Sequence, residues 1–530
     1  MLNLVETLMA DLREARSEIQ RLRDEVNRLK GEQGKPDIKS NRHSSSGTTG
    51  QHSSERERRE PKDWQKSSKL GQIQIDREEI LKLDTTSLPS DFKFKGYEPV
   101  VVQDLRIITD NIKFYKEKYY SPAAGKTYMA PLPKGYEGGF GPGVKSISIV
   151  FAYGCNMTEP KIAEFFANMG IRISAGQISN LLTGRNEKFH AEKAAIAQAG
   201  LASTPWQNID DTGTRVDGQN RHCQVICNPL YTAYFTTLRK DRLTVIDVLS
   251  NMRERKFRIN EEALGFLHGF ALPVRVMEAF ENAPRDQNLG EAEFHRWLNE
   301  HMSSLGSQQR SRILEAAAVA AYHAEVEHPV VRLLLCDDAP QFKLVTEELG
   351  LCWIHDGRHY KKLEPCIAHH QCLLDSFEVE YWDFYKQLLV FPKTPTPECA
   401  VQLSEKFDSL FSTVTGYDAL DERIAKTNAK KSHLLMLLRH PEIPLHNNAA
   451  ELAARLRVRK RVVSYGPRSE KGIRAWDTFN TLYGTAKKLG VSFYHYIYDR
   501  ISKTNQMQPL AELIAQKALQ LNLGSSWNSS

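Results

Sequence analysis

The sequence predicts an α/β protein whose sheet is assembled from separated segments, with helical insertions between them and smaller regions in front. Three observations predict this. Strand-like runs follow one another at "PWQNIDDTGTRVDG", "HCQVICNP" and "LYTAYFTTL", with a helical pattern, "RLTVIDVLSNM", directly after them. A short apolar run, "VVRLLLCDD" at 330–338, has the composition of a buried parallel strand that resumes the sheet. Residues 253–329 and 361–440 carry helical patterns and interrupt that sheet.

Length and charge narrow the classes. The chain has 530 residues, with 71 Lys plus Arg against 65 Asp plus Glu, a net charge of +6. Such a mild excess means that an anionic partner must be read from local clusters. No apolar run approaches the ~20 residues that span a bilayer, and the first residues form a charged helix instead of a signal-peptide core, so a cytoplasmic protein is expected. The eight cysteines include no C-x-x-C pair and are expected to be reduced thiols. Cys352, His355, Cys366, His369, His370 and Cys372 cluster in sequence, but their spacing matches no zinc module. Buried or incidental Cys and His is the reading adopted for them.

Residues 1–31 read as a zipper. Val5, Leu12, Ile19 and Val26 fall at a positions and Leu8, Ala15, Leu22 and Leu29 at d positions, which favours a parallel two-stranded coil. The g-to-e pairs Asp11–Arg16, Glu18–Arg23 and Glu25–Lys30 are all attractive. The alternative is an amphipathic helix packed on its own core. Residues 32–72, rich in Ser, Gly and charge, are expected to be a disordered tether. Within 73–137, "YEPVVVQDLRIITDNIKFYKEKYY" alternates as a β-hairpin does, with "TDN" near its turn.

Residues 138–200 contain a helix-turn-helix outline. Thr158 caps a first helix that Gly170 ends, and Ser174 caps a second that Gly184 closes. Ile162, Phe165 and Phe166 face Ile178, Leu181 and Leu182, leaving Gln177 and Asn180 outward as base-reading groups. Two packed helices with no DNA role are the alternative. A linking helix at 187–200 leads into the core, whose parts are expected at 201–250, 330–360 and 441–500, with insertions at 251–329 and 361–440 and a C-terminal tail at 501–530.

Three carboxylates stand where elements begin or end. Asp210 lies in the first strand, Asp337 closes the strand "VVRLLLC", and Glu451 opens a late helix. Singly, each has a structural explanation: turn chemistry, a helix cap, and a capping box with Asn448. Together, acids on a first strand, a later strand and a late helix of a strand-strand-strand-helix-strand order describe a ribonuclease-H-like core, in which converging carboxylates hold two divalent ions. Glu451 is the one acid between Ile443 and Ser469, amid Arg455, Arg457, Arg459, Lys460, Arg461 and Arg468, with Lys471 just beyond. That pattern assigns the acid to a metal and the cations to phosphates.

The segments "NIDDTGTRVDG", "LLLCDDAPQF" with "LGLCWIHDGRHYKKL", and "HNNAAELAARLRVRKRVVSYGPRSEKG" continuing through "TAKKLG" resemble the DDE transposases of insertion sequence family sixty-six. The resemblance extends to the N-terminal zipper and the order of segments. It implies a metal-binding, catalytic triad of Asp210, Asp337 and Glu451, with Asp211 and Asp338 as off-by-one alternatives, two Mg²⁺ ions for which Mn²⁺ substitutes, cleavage at transposon ends and strand transfer into target DNA. It also implies DNA as partner, a homodimer or higher synaptic assembly, small accessory proteins, and a nucleoid-associated place of action. Two positions depart from the family. The cysteine zinc ribbon of many relatives has no cysteine here, near 97–120, and the usual Asp before the paired Asn is His446. The competing readings are a domesticated or inactive DNA-binding relative and a repair nuclease with the same core.

Overall fold

The structure, a computed structural model, describes residues 1–29, 73–84, 86, 88–89, 91–270, 272–280, 283–302 and 304–528. The tether expected at 32–72 lies outside the described residues. Helix α1 (Leu2–Leu29) carries the heptad pattern, and Val5, Leu8, Leu12, Ile19, Leu22 and Val26 are all exposed along it. Its first turns are anchored to the body. Glu6 is buried, accepts the backbone N–H of Ile367 at 3.1 Å and lies 3.0 Å from His370 Nδ1, while Asn3 Nδ2 donates to Asp418 Oδ1 at 2.7 Å. One face therefore docks on its own chain and the zipper seam faces outward.

The hairpin lies downstream of its expected place. Strands β1 (Lys118–Ser121) and β2 (Lys126–Met129) pair antiparallel, and residues 97–117 form no strand. Its turn is made by Gly125, at φ +59°, which donates its N–H to Pro122 O at 3.3 Å. Helix α2 (Pro142–Ile149) runs into a π turn at Val150–Gly154. The helix-turn-helix outline is present as α3 (Glu159–Asn168) and α4 (Ala175–Thr183), joined past Gly170 at φ +77°. Ser174 accepts the N–H of Gln177, and Ile162, Phe166, Ile178 and Leu182 are buried between the helices. Helix α5 (Glu187–Ala202) follows.

The central sheet is five-stranded, ordered β5-β4-β3-β8-β9. β3 (Trp206–Val216), β4 (Gln219–Cys227) and β5 (Thr232–Thr237) are antiparallel, and Asp217 and Gly218, both at positive φ, make the first turn. Helix α6 (Arg242–Leu249) leads to the first insertion: β6 (Lys256–Arg258), α7 (Glu261–Gly269), α8 (Val274–Ala279), β7 (Asn288–Gly290), α9 (Glu291–His301) and α10 (Ser307–His323). That insertion is mainly helical but holds a small antiparallel β6–β7 pair, too short for sequence alternation to reveal. Then β8 (Leu333–Cys336) returns parallel to β3, and β9 (Glu348–Leu351) lies parallel to β8.

Helix α11 (Trp353–Tyr360) leaves the sheet and leads into the second insertion, α12 (Ala368–Val390), α13 (Pro397–Phe411), α14 (Asp418–Asn428) and α15 (Lys431–Leu434). Trp353 is its aromatic centre, with Tyr381, Phe384 and Phe407 around it. Helices α16 (Asn448–Ser464), α17 (Glu470–Leu489), α18 (Phe493–Ser502) and α19 (Leu510–Leu521) complete the fold. Within the C-terminal tail, α19 packs beside α5, and Trp206 Nε1 donates to Leu523 O at 2.8 Å.

Helix α17 closes the open edge of β5. Side chains one turn apart accept the N–H groups this edge strand would otherwise leave unpaired: Thr485 Oγ1 from Thr232 at 3.2 Å, Thr481 Oγ1 from Tyr234 at 3.1 Å, and Asp477 Oδ2 from Thr236 at 2.7 Å. Threonine is the residue this needs, because a hydroxyl accepts while its methyl packs. Thr481→Val, which keeps the shape and orphans the Tyr234 N–H, is expected to cost about 1–3 kcal/mol in urea unfolding.

A second device joins α16 to the π turn. Lys460 is 3% exposed, donates to Ala152 O, and lies 4.6 Å from the Tyr153 ring and 4.8 Å from the Trp476 ring. Burial, assisted by the Arg457 charge, pulls its ammonium down to about 7, against an opposing pull from Glu159. The unfolded chain therefore binds this proton more tightly, so the penalty is full below about pH 7 and fades as pH rises toward the ordinary lysine value. The stability of wild type relative to Lys460→Met is expected to rise across that window by a few kcal/mol, at about 1.4 kcal/mol per pKa unit; an equal stability difference between the two proteins in urea unfolding at neutral and at alkaline pH would contradict it.

Candidate metal and nucleic-acid site

The parallel register places the first two acids. Asn208 pairs with Leu335 as the last pair of the ladder, so Asp210, two residues further along β3, and Asp337, just past the end of β8, come to the same end of the two strands, near enough for the Asp337 charge to act on Asp210. Cys336 pairs with Leu351, so one residue further Asp337 and Cys352 stand abreast. Asp210, in β3, is thus joined by Asp337 and Cys352, the residues that follow β8 and β9, at the carboxyl ends of those two strands, where α/β sheets present ligands. Glu451 comes to this group from the first turn of α16, where the positive helix end favours a carboxylate.

Asn447 locks that approach. Its Nδ2 donates to Ile209 O at 2.7 Å, its Oδ1 accepts from Asn208 Nδ2 at 2.8 Å, and its backbone N–H donates to Cys352 Sγ at 3.2 Å. One buried amide therefore ties the head of α16 to β3 and to the start of α11. No capping box forms with Asn448. The helix is preceded by Asn447, whose side chain turns to the sheet.

The electrostatics agree with the geometry. Burial pushes the Asp210 carboxyl up to about 7, the Asp211 N–H at 2.9 Å works against this, and the nearby charges of Asp337 and Glu451 add to the rise. Asp210 sits inside β3, which runs on to Val216, so turn chemistry does not account for it. Asp337 accepts the N–H of Ala339 at 3.2 Å, a local turn contact that leaves its other oxygen for the site. The off-by-one neighbours are taken by other partners. Asp211 lies 3.4 Å from Lys240 and accepts from Gln341 at 3.0 Å. Asp338 pairs with Lys430 at 2.5 Å and Lys343 at 2.9 Å; burial raises it, but these two cations hold it below the ordinary carboxylate value.

Glu451 has companions that the triad reading did not include. Its Oε2 lies 3.2 Å from Arg358 Nη2, and its Oε1 lies 3.6 Å from His355 Nδ1. Burial keeps His355 below its ordinary value against the attraction of Glu451. Among the described residues, Cys352, His355 and Glu451 are the one set of three Cys, His or carboxylate groups whose ligand atoms all lie within 4.8 Å of one another, so the three-acid set is wider than that. Of the six-residue Cys and His cluster, the fold brings together Cys352 and His355. Cys366 and His370 serve Glu6 of α1, and His369 and Cys372 are exposed. The signal for the pair was a C-x-x-H spacing just after a short strand, which sets both side chains on one helical turn.

The cations of α16 separate into two sets, which corrects the expectation that all of them meet DNA. Arg457 is 1% exposed, pairs with Asp477 at 3.0 Å and lies over Trp476, and Lys460 is buried at the π turn. Neither reaches a phosphate. Arg461 is half-buried and donates to Gly213 O, whereas Arg455, Arg459, Arg468 and Lys471 are exposed. Gln177 and Asn180 are exposed on α4 as expected, but they face a cavity of about 570 Å³ shared with Lys145, Arg185 and Lys503, not a convex surface. Among the described residues no helix is long and apolar enough to cross a membrane.

No family model matches the chain. Over 328 residues it is 33% identical to the uncharacterized protein y4jO of Sinorhizobium fredii (strain NBRC 101917 / NGR234), a match that covers 61% of this chain and 100% of the relative. The chain belongs to the same family as that uncharacterized protein.

Proposed function

We propose that the protein is a DDE transposase of insertion sequence family sixty-six with a ribonuclease-H-like core, cutting DNA at transposon ends and joining the freed 3′-hydroxyls to target DNA. The observation that carries this reading is the approach of Asp210 on β3 and Asp337 at the end of its parallel neighbour β8, with Glu451 of α16 near enough for its charge to act on Asp210. The order of three antiparallel strands, a helix and two strands parallel to the first supports the finer fold assignment.

The donor set suits hard divalent ions. Asp210, Asp337 and Glu451 offer oxygen ligands of the kind Mg²⁺ or Mn²⁺ takes, and Glu451 Oε1 is buried without a hydrogen bond. The chemistry supplied by two such ions is activation of a water or 3′-hydroxyl and stabilisation of the leaving oxygen. The chain's own part is to fix the carboxylates on strands and a helix pinned by Asn447, and to hold DNA with the exposed Arg455, Arg459, Arg468 and Lys471. The outward seam of α1 gives a second copy a place to pair, which a synaptic assembly requires.

Asp210→Asn, Asp337→Asn and Glu451→Gln are each expected to lower Mg²⁺-dependent nicking of transposon-end DNA by about a hundredfold or more while a gel shift persists. Nicking retained in all three would end the proposal, and a shift with no nicking by wild type would favour a DNA-binding relative without catalysis. Arg459→Ala with Arg468→Ala is expected to flatten the slope of log K against log salt by about 0.9 for each phosphate that is no longer neutralised. An unchanged slope in filter binding would remove these residues from the DNA interface.

A further inference from the structure

Cys352 and His355 have no place in a three-carboxylate mechanism, yet they converge on the acid that mechanism uses. Cys352 is the residue after β9 and immediately precedes α11; His355 lies in the first turn of that helix; Glu451 reaches them from α16. Their three ligand atoms lie within 4.8 Å of one another. His355 Nδ1 and Glu451 Oε1 are both buried, neither makes a hydrogen bond, and they stand 3.6 Å apart. Two buried polar atoms left facing each other at that distance are costly unless a third body joins them.

We propose that Cys352 Sγ, His355 Nδ1 and Glu451 form a binding site for one thiophilic transition-metal dication of the zinc class. Bond lengths of about 2.3 Å to sulfur and 2.0–2.2 Å to nitrogen and oxygen place tetrahedral ligands roughly 3.3 to 3.7 Å apart. The His355–Glu451 separation of 3.6 Å already has that value, and the thiol, within 4.8 Å of both, needs to close by at most about 1 Å. Sulfur selects zinc or cobalt over magnesium, which takes oxygen ligands. Three protein ligands leave a fourth position for water. As the metal–sulfur bond forms, the Cys352 thiol proton leaves to solvent, so binding releases one proton from that group. A cation seated here draws Glu451 toward α11 and away from the other two carboxylates. A plain ion pair between His355 and Glu451 is the bland alternative, and it predicts no metal uptake.

The test is a titration of the full chain, stripped with chelator, with Co²⁺ alone. The site predicts thiolate-to-cobalt charge-transfer absorption saturating at one ion per chain, lost in Cys352→Ser and displaced by Zn²⁺. His355→Ala, whose side chain is partly exposed, is expected to weaken cobalt binding by about tenfold or more, and it keeps the test decisive if Cys352→Ser does not fold. Replacing the exposed Cys155 and Cys372 with serine should leave the band intact. No thiolate band, or one that survives Cys352→Ser, overturns the site. The outcome is separable from the transposase reading: Asp210→Asn is expected to keep the cobalt band and lose nicking, and a missing band with normal nicking would overturn the metal site alone.

Discussion

The parallel pairing of β3 with β8 is the constraint on which the rest depends. A register with Asn208 beside Leu335 brings Asp210 and Asp337, each two residues further on, to the same end of this strand pair. Because side-chain direction in a strand has a period of two, a slip of one residue would send one acid to the opposite face. Leu333, Leu334, Leu335 and Cys336 are all enclosed, so this strand is buried on both faces. Asn447 then converts this two-strand relation into a three-element one, by committing a buried amide to β3 and a backbone N–H to Cys352. Burying such an amide is tolerated because each of these bonds is made at good length.

The cationic run of α16 shows how one helix can serve the core and the surface at once. Residues 457 and 460 lie three apart, on the face turned to α17 and the π turn, and each has a specific receptor there: Asp477 for the guanidinium, Ala152 O for the ammonium. Asp477 serves twice, since it also accepts the Thr236 N–H at the sheet edge. The helix that presents Glu451 is thus held by a buried charge pair whose acid belongs to the helix closing the sheet. Residues 455 and 459, four apart on the other side, are exposed. Such a division fixes the element carrying Glu451 and keeps other cations of the same helix on the surface.

Much of this was legible in the sequence, and the parts that were not have physical causes. The antiparallel run of β3, β4 and β5 was readable because its strands are long and its Asp217–Gly218 turn carries its own signal. β8 was readable from its unbroken apolar run. β9 was not, being four residues long with Gly350 inside it. Charge along α16 was visible, but which face is buried depends on Asp477, twenty positions later and on another helix. The pairing of Glu6 with His370 joins residues more than 360 apart, beyond any local pattern. Cys352 and His355 looked like part of a loose six-residue cluster, and the fold sorted that cluster into a site near Glu451 and an anchor for α1.

The central claim is that Asp210, Asp337 and Glu451 gather around a pair of hard cations. Anomalous diffraction from crystals grown with Mn²⁺ and a DNA end tests it most directly. The account predicts two manganese peaks about 3.5–4 Å apart, contacted by these three carboxylates. Peaks absent from Asp210 and Asp337, with the acids remaining apart around bound DNA, would contradict it.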